Sequence, residues 1–201
     1  MGRKSLKEVR QKEIILAFYT VSKREGLENS SISKVAKEMD INPSLVMHYF
    51  NTKEDLVFGL IHFILERYKS IFTSDVSTDN ICTKLLNIVN NLFSKKWNTF
   101  IDDSVFYSCF ALIFRSEKIK EEFKKMQEHL REELSLAIQE GIDNDIIHID
   151  TTSHEAADLI YNLLAGSYLY LSLYDDTKES NKKLEFYKEN ALQILNLEAV
   201  S

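Results

Sequence analysis

Helix-breaking residues are nearly missing from this chain of 201 residues, which holds one proline and five glycines. Sheets joined by tight turns draw on both residue types, and phosphate-cradling loops draw on glycine, so this scarcity argues against β-rich folds and nucleotide-binding loops alike. Leucine, isoleucine, glutamate and lysine abound instead, and they favour long helices. The sequence predicts an all-α protein with about nine helices. Cysteine is equally sparse: Cys82 and Cys109 stand apart without C-x-x-C spacing, which gives no sign of a zinc knuckle or a redox pair and leaves two reduced thiols. The start of the chain is basic but lacks the apolar stretch of a signal peptide, and runs such as Leu56 to Leu65 are too short to span a bilayer. A cytoplasmic protein with no membrane partner is expected.

Catalytic signatures are missing too. G-x-S-x-G, the P-loop and G-x-G-x-x-G do not occur. The nearest approach to a metal motif is His154-Glu155-Ala156-Ala157-Asp158, where the second imidazole of H-E-x-x-H is replaced by Asp158. No cofactor, no metal and no enzymatic activity are expected.

The charge that is present is unevenly spread. The chain carries a net −6, yet residues 1–55 hold ten Lys/Arg against eight Asp/Glu, whereas residues 56–201 hold fifteen against twenty-three. Within the first twelve residues Arg3, Lys4, Lys7, Arg10 and Lys12 face only Glu8. A basic arm of this kind suits DNA phosphates or, equally, a solvated helix start.

Apolar residues recur at helical spacing, beginning with Val9, Ile14, Ile15 and Phe18, and Gly26 supplies a stop, so a first helix is predicted over 6–25. Ser30 or Ser31 can cap a short second helix with Ile32, Val35, Ala36 and Met39 on its inner stripe. Asp40 and Ile41 make the turn. Asn42 as N-cap and Pro43 at the first helical position open a third short helix that ends near Phe50. Thr52, followed by Lys53, Glu54 and Asp55, caps a long fourth helix toward Phe72. Further helices are predicted at 79–97, 102–114, 117–140, 153–174 and 180–196, the third of these closed by Gly141.

Two short helices joined by a tight turn and followed by a capped helix, residues 31–56, form a helix-turn-helix. With Ser31 opening the second helix, Val35-Ala36 packing it, Tyr49-Phe50 closing the third and Lys53 opening the fourth, the segment resembles the TetR family of transcriptional regulators. The resemblance implies a DNA-binding domain over 1–55 and a helical ligand-sensing and dimerisation domain over 56–201. It also implies a homodimeric regulator, most simply a repressor released from operator DNA by a small apolar or cationic molecule.

In such a head the third helix lies in the major groove with its first residues at the base edges. The resemblance therefore places Asn42, Pro43, Ser44, Leu45, Met47 and His48 at the DNA. Ser31, Ser33 and Lys34 would stand at the groove edge, with Tyr49 and Lys53 on phosphates. Family members generally carry tyrosine where this chain has Met47, so that contact is open: a thymine methyl or plain packing would serve a methionine. His48 is open in the same way, between DNA and an ordinary surface position.

In the second half, aromatic residues crowd into 93–123 around the single tryptophan. Phe93, Trp97, Phe100, Tyr107, Phe110 and Phe114 are candidates for an effector pocket or, on the other reading, core packing. The run 48–50 and the stretch 106–123 resemble the choline-sensing, BetI-like branch of the family, which would suit a cation held by Trp97 and Tyr107. The apolar stretch 159–174 and the last helix offer Tyr161, Leu164, Tyr168, Leu171, Tyr187, Ala191 and Ile194 for a four-helix dimer interface. Ala165, Gly166 and Ser167 would allow close approach there, or else the same side chains form an internal core. Two other functions stay open, a helical interaction protein with a DNA head that no longer binds and a small helical enzyme.

Overall fold

The computed structural model describes residues 6–73, 80–94, 101–174 and 177–197, and of residues 68–73 the backbone only. Its described residues form nine α-helices and one 3-10 turn. They are α1 (Leu6–Glu25), α2 (Ile32–Glu38), α3 (Pro43–Tyr49), α4 (Lys53–Thr73), α5 (Ile81–Leu92), α6 (Asp103–Phe110), the turn Ala111–Phe114, α7 (Glu117–Asp143), α8 (Ser153–Leu171) and α9 (Thr177–Ile194). The all-α architecture with a helix-turn-helix near its start is as the sequence predicts.

Two compact units divide the chain. The first comprises 1–67 and 98–124, the second 68–97 and 125–201. In the first, Ile14, Phe18 and Val21 of α1 are fully buried, as are Val35 of α2, Val46 of α3, and Leu56, Leu60, Ile61 and Ile64 of α4. α6 joins them, because the backbone N–H of Asp102 donates to the Tyr19 hydroxyl at 2.9 Å and Lys23 pairs with the Asp102 carboxylate at 3.4 Å. The three-helix head thus shares its compact unit with most of α4 and with the 98–124 segment, a division different from the functional one drawn at residue 55.

The second unit is built on one apolar cluster. Leu85, Val89 and Leu92 of α5, Leu134 and Ile138 of α7, Ile160 and Leu164 of α8, and Leu184, Ala191 and Leu192 of α9 all contribute. Gly141 lies within this packing: a Cβ built on it would stand 2.7 Å from Ile147 Cδ1 and 2.9 Å from Leu85 Cδ1. It therefore serves close approach and does not stop α7, which continues to Asp143. The chain reverses where Asp145 takes a left-handed backbone at φ 61°, and the Ile146 N–H returns to the Gly141 carbonyl at 2.9 Å.

Other helix ends shift for local reasons. α5 starts at Ile81 because the Asn80 side chain accepts from the Thr83 N–H at 2.9 Å. The segment predicted as helix over 102–114 tightens into the 3-10 turn after Phe110. α9 begins at Thr177, three residues ahead of the predicted 180.

Candidate nucleic-acid interface

The geometry of the helix-turn-helix is fixed by its caps. Ser31 accepts from the Lys34 N–H at 3.3 Å to start α2. Asp40, at φ 51°, turns the chain in the left-handed region that short polar residues tolerate. The Ile41 N–H then closes on the Ala36 carbonyl at 3.0 Å. Asn42 caps α3, its Oδ1 accepting from both the backbone N–H and the hydroxyl of Ser44 at 2.9 Å. Thr52 and Asp55 cap α4 reciprocally, each backbone N–H donating to the other's side chain at 3.1 Å.

These caps decide which way α3 faces. Val46 is buried and so is Phe50 just past its end, while Pro43, Ser44, Met47 and His48 form one exposed surface. Leu45 and Tyr49 are half-buried on its flanks, and the Tyr49 ring meets His48 edge-on with centroids 5.0 Å apart. Met47 is 45% exposed, so its side chain is not spent on the core. A seven-residue helix is about 10 Å long, which suits a major groove about 12 Å wide.

Beside that surface the structure adds what the sequence could not show. The ammonium groups of Lys34 and Lys53 converge on the loop between α1 and α2: Lys34 Nζ donates to the Asn29 carbonyl and Lys53 Nζ to the Glu28 carbonyl, both at 2.7 Å. Lys34 also pairs with Glu25 at 2.7 Å, and Arg24 bridges Glu25 and Glu38 at 3.1 and 2.8 Å. Hydrogen bonds from Lys34 first, then Arg24, hold the Glu25 carboxyl below its ordinary range. The loop is pinned from inside as well, by Ser30 donating to the Gly26 carbonyl at 2.8 Å and contacting the Ser22 hydroxyl at 3.0 Å. Contacts 25 and 14 residues apart in sequence have no signature in local spacing. Ser33 is exposed on α2 and Ser31 half-buried at its cap.

The family model "Bacterial regulatory proteins, tetR family" matches residues 19–60, and "Tetracyclin repressor-like, C-terminal domain" matches 80–197. The chain belongs to the TetR family. Among curated relatives, the HTH-type transcriptional regulator BetI of Vibrio atlanticus is 25% identical over 151 residues, covering 69% of this chain and 73% of its own. BetI of Vibrio parahaemolyticus is 30% identical over 73 residues, 36% and 37% of the two chains. In fold, the chain resembles a TetR regulator from Haloarcula marismortui (TM-score 0.79, 21% identity, 94% and 97% covered). A TetR-family regulator from Cytophaga hutchinsonii is similar too (TM-score 0.80, 14% identity, 98% and 100% covered). This TetR-family protein is a DNA-binding transcriptional regulator and not an enzyme.

The described candidate effector residues are divided between the two compact units. Phe93 is 2% exposed within the apolar cluster of the second unit. Tyr107 and Phe110 lie in the first unit, where Phe106, Phe110 and Phe123 have centroids 5.3 to 6.1 Å apart. Tyr107 is half-buried, and burial pushes its hydroxyl up to about 12. Phe114 is 84% exposed on the 3-10 turn. Trp97 and Phe100 fall outside the described residues.

The candidate dimer residues all take part in packing within their own chain, the internal-core alternative that the sequence leaves open. Tyr161, Leu164, Leu171 and Ala191 are buried inside the single chain, and Tyr168, Tyr187 and Ile194 pack against the same internal cluster. Tyr168 is further committed by hydroxyl bonds to the carbonyls of Leu92, at 3.1 Å, and Ser94. The apolar side chains left exposed on these helices are Leu159, Leu169, Tyr170 and Leu173 of α8 and its end, and Phe186 of α9. Ser167 is buried and bonded to the Leu164 carbonyl at 2.8 Å, whereas Ala165 and Gly166 face outward with open space beyond the Gly166 Cα. Among the described residues, no group of three or more His, Cys, Asp or Glu side chains could hold a metal ion, and no helix is long and apolar enough to cross a membrane.

Proposed function

We propose that the protein is a cytoplasmic homodimeric repressor whose residues 1–55 bind a two-fold operator through α3 and whose residues 56–201 sense a small apolar or cationic effector. The observation that carries this reading is the outer surface of α3: Pro43, Ser44, Met47 and His48 are uncovered, on a helix whose caps and inner residues fix its orientation. Ser44 and Met47 face base edges, and Ser31, Ser33, Lys34, Tyr49 and Lys53 flank them at the phosphates. Two copies bound to successive major grooves would set their α3 helices about 34 Å apart.

Dimerisation uses the apolar residues that the chain itself leaves uncovered, Leu159, Leu169, Tyr170, Leu173 and Phe186. Release requires the effector to favour a dimer whose heads no longer match that spacing, since a ligand shifts an equilibrium only by its differential affinity for the two states. The resemblance to choline-sensing regulators and the partly buried aromatic cluster of Phe106, Tyr107 and Phe110 support a quaternary ammonium effector.

Fluorescence anisotropy of a labelled duplex from the gene's own upstream region, titrated with protein across several salt concentrations, tests the reading. Binding that exceeds a scrambled duplex and weakens steeply with salt is expected. Equal, salt-insensitive affinity for both duplexes would refute it. Titrating the complex with choline and other quaternary ammonium compounds, while following the single tryptophan, tests the effector. No displacement and no fluorescence change at millimolar ligand would remove that class.

A further inference from the structure

Lys34 is already paired in the free protein. Its ammonium lies 2.7 Å from the Glu25 carboxylate and 2.7 Å from the Asn29 carbonyl. Lys53, by contrast, rests on a backbone carbonyl, with no carboxylate paired to it among the described residues. The carboxylate is itself held in place, because Arg24 bonds Glu25 at 3.1 Å and is anchored at its other end on Glu38 at 2.8 Å. Glu25 ends α1 just before Gly26, where a φ of 86° turns the chain into the loop that carries Asn29.

We propose that Glu25 is a built-in competitor for DNA phosphate, sharing the Lys34 ammonium with any phosphate that reaches it and thereby setting how weakly the head binds DNA of any sequence. The inference rests on the DNA-binding reading of α2 and α3 and adds to it a control on non-specific affinity. An ammonium has three donors, so a phosphate can join Lys34 without Glu25 leaving the neighbourhood. Two anions each 2.7 Å from one nitrogen in tetrahedral directions stand about 4.4 Å apart. At that separation like unit charges in water disfavour each other by about fivefold in an equilibrium constant, and salt reduces the factor. The penalty falls on every sequence equally, because it is exerted on the phosphate backbone.

The test is a double-mutant cycle on the full-length protein, with dissociation constants for a random-sequence duplex measured by anisotropy at low salt. Glu25→Gln removes the charge and keeps the shape, and it should bind about two- to fivefold tighter than the parent. Glu25→Ala, a second neutral variant, should move the same way. Lys34→Ala should bind more weakly. In the Lys34→Ala background Glu25→Gln should lose at least half of its logarithmic effect, because the competition then has no object. Unchanged or weaker binding by both neutral variants overturns the proposal. So does an equal gain with and without Lys34, which would mean general repulsion. A parent protein that binds no duplex at low salt would overturn the DNA-binding reading itself, and the two failures are told apart by that parent measurement.

Discussion

Replacing Lys53 by alanine tests the proposed phosphate contact of that residue. The side chain leaves α4 at its first residue and donates to the Glu28 carbonyl at 2.7 Å, on an exposed part of the loop. Water can take over that carbonyl when the lysine is gone, so the unfolding midpoint should barely move. DNA binding should change in a defined way. Each phosphate neutralised by a cation contributes about 0.9 to the slope of log affinity against log salt, and the proposed dimer would carry two copies of Lys53, so the slope should fall by about 1.8. Over a fourfold rise in salt, from about 50 to about 200 mM, parent affinity should then drop about 12-fold more than that of the variant. The loss should be the same for operator and scrambled duplex, because phosphates carry no sequence. Anisotropy titrations at four or five salt concentrations read both quantities. A variant with the parental slope would show that Lys53 never reaches a phosphate, and that its place at the loop is structural only.

Four further perturbations separate the other claims. Ser44→Ala should leave stability nearly unchanged, since the Ser44 backbone N–H still bonds Asn42, but should relax base preference by about 1–3 kcal/mol at one operator position, read by competition with single-base variants. Leu173→Glu with Phe186→Glu places charge on side chains 76% and 58% exposed, and should yield a folded monomer by sedimentation; a dimer of parental strength would place the interface elsewhere. In that monomeric background Gly166→Ala should stabilise by about 1 kcal/mol, as a helical alanine does where nothing lies within 4 Å. Gly141→Ala should gain the same propensity and lose about 1–3 kcal/mol to overpacking against Ile147 and Leu85. Urea unfolding midpoints compare the two glycine variants, and equal shifts would refute the packing argument.

Residues that act on their immediate neighbours were the legible ones. Ser31, Asn42 and Thr52 bond backbone groups two or three residues away, and each starts a helix where its type and position imply. The whole helix-turn-helix is built from such signals, which is why it can be read without coordinates. Gly141 shows the limit. As a local signal it means a helix stop, yet its role is set by Ile147 and by Leu85, 56 positions away, and α7 runs on to Asp143, just before a left-handed Asp145. Lys34 and Lys53 carry the same lesson: their residue types suggest phosphate, while their partners on the 25–29 segment depend on three helices meeting.

α8 is where sequence reasoning had least to hold. Periodicity separates faces only when one face is polar, and from Leu159 to Tyr174 apolar residues occur on every side. Two stripes of similar hydrophobicity, one through Tyr161, Leu164 and Leu171 and the other through Leu159, Leu169 and Leu173, are then equal candidates for the interior. Packing of the single chain takes the first stripe, since Ile160 and Leu164 meet the α9 residues Leu184 and Ala191 in one cluster. The second stripe is left over, with Leu173 76% and Leu169 55% exposed. A helix apolar on all sides needs a partner on all sides. The residues that bury α8 within its own chain cannot also bind a second copy, so the surplus on its far side is the physical reason to expect one.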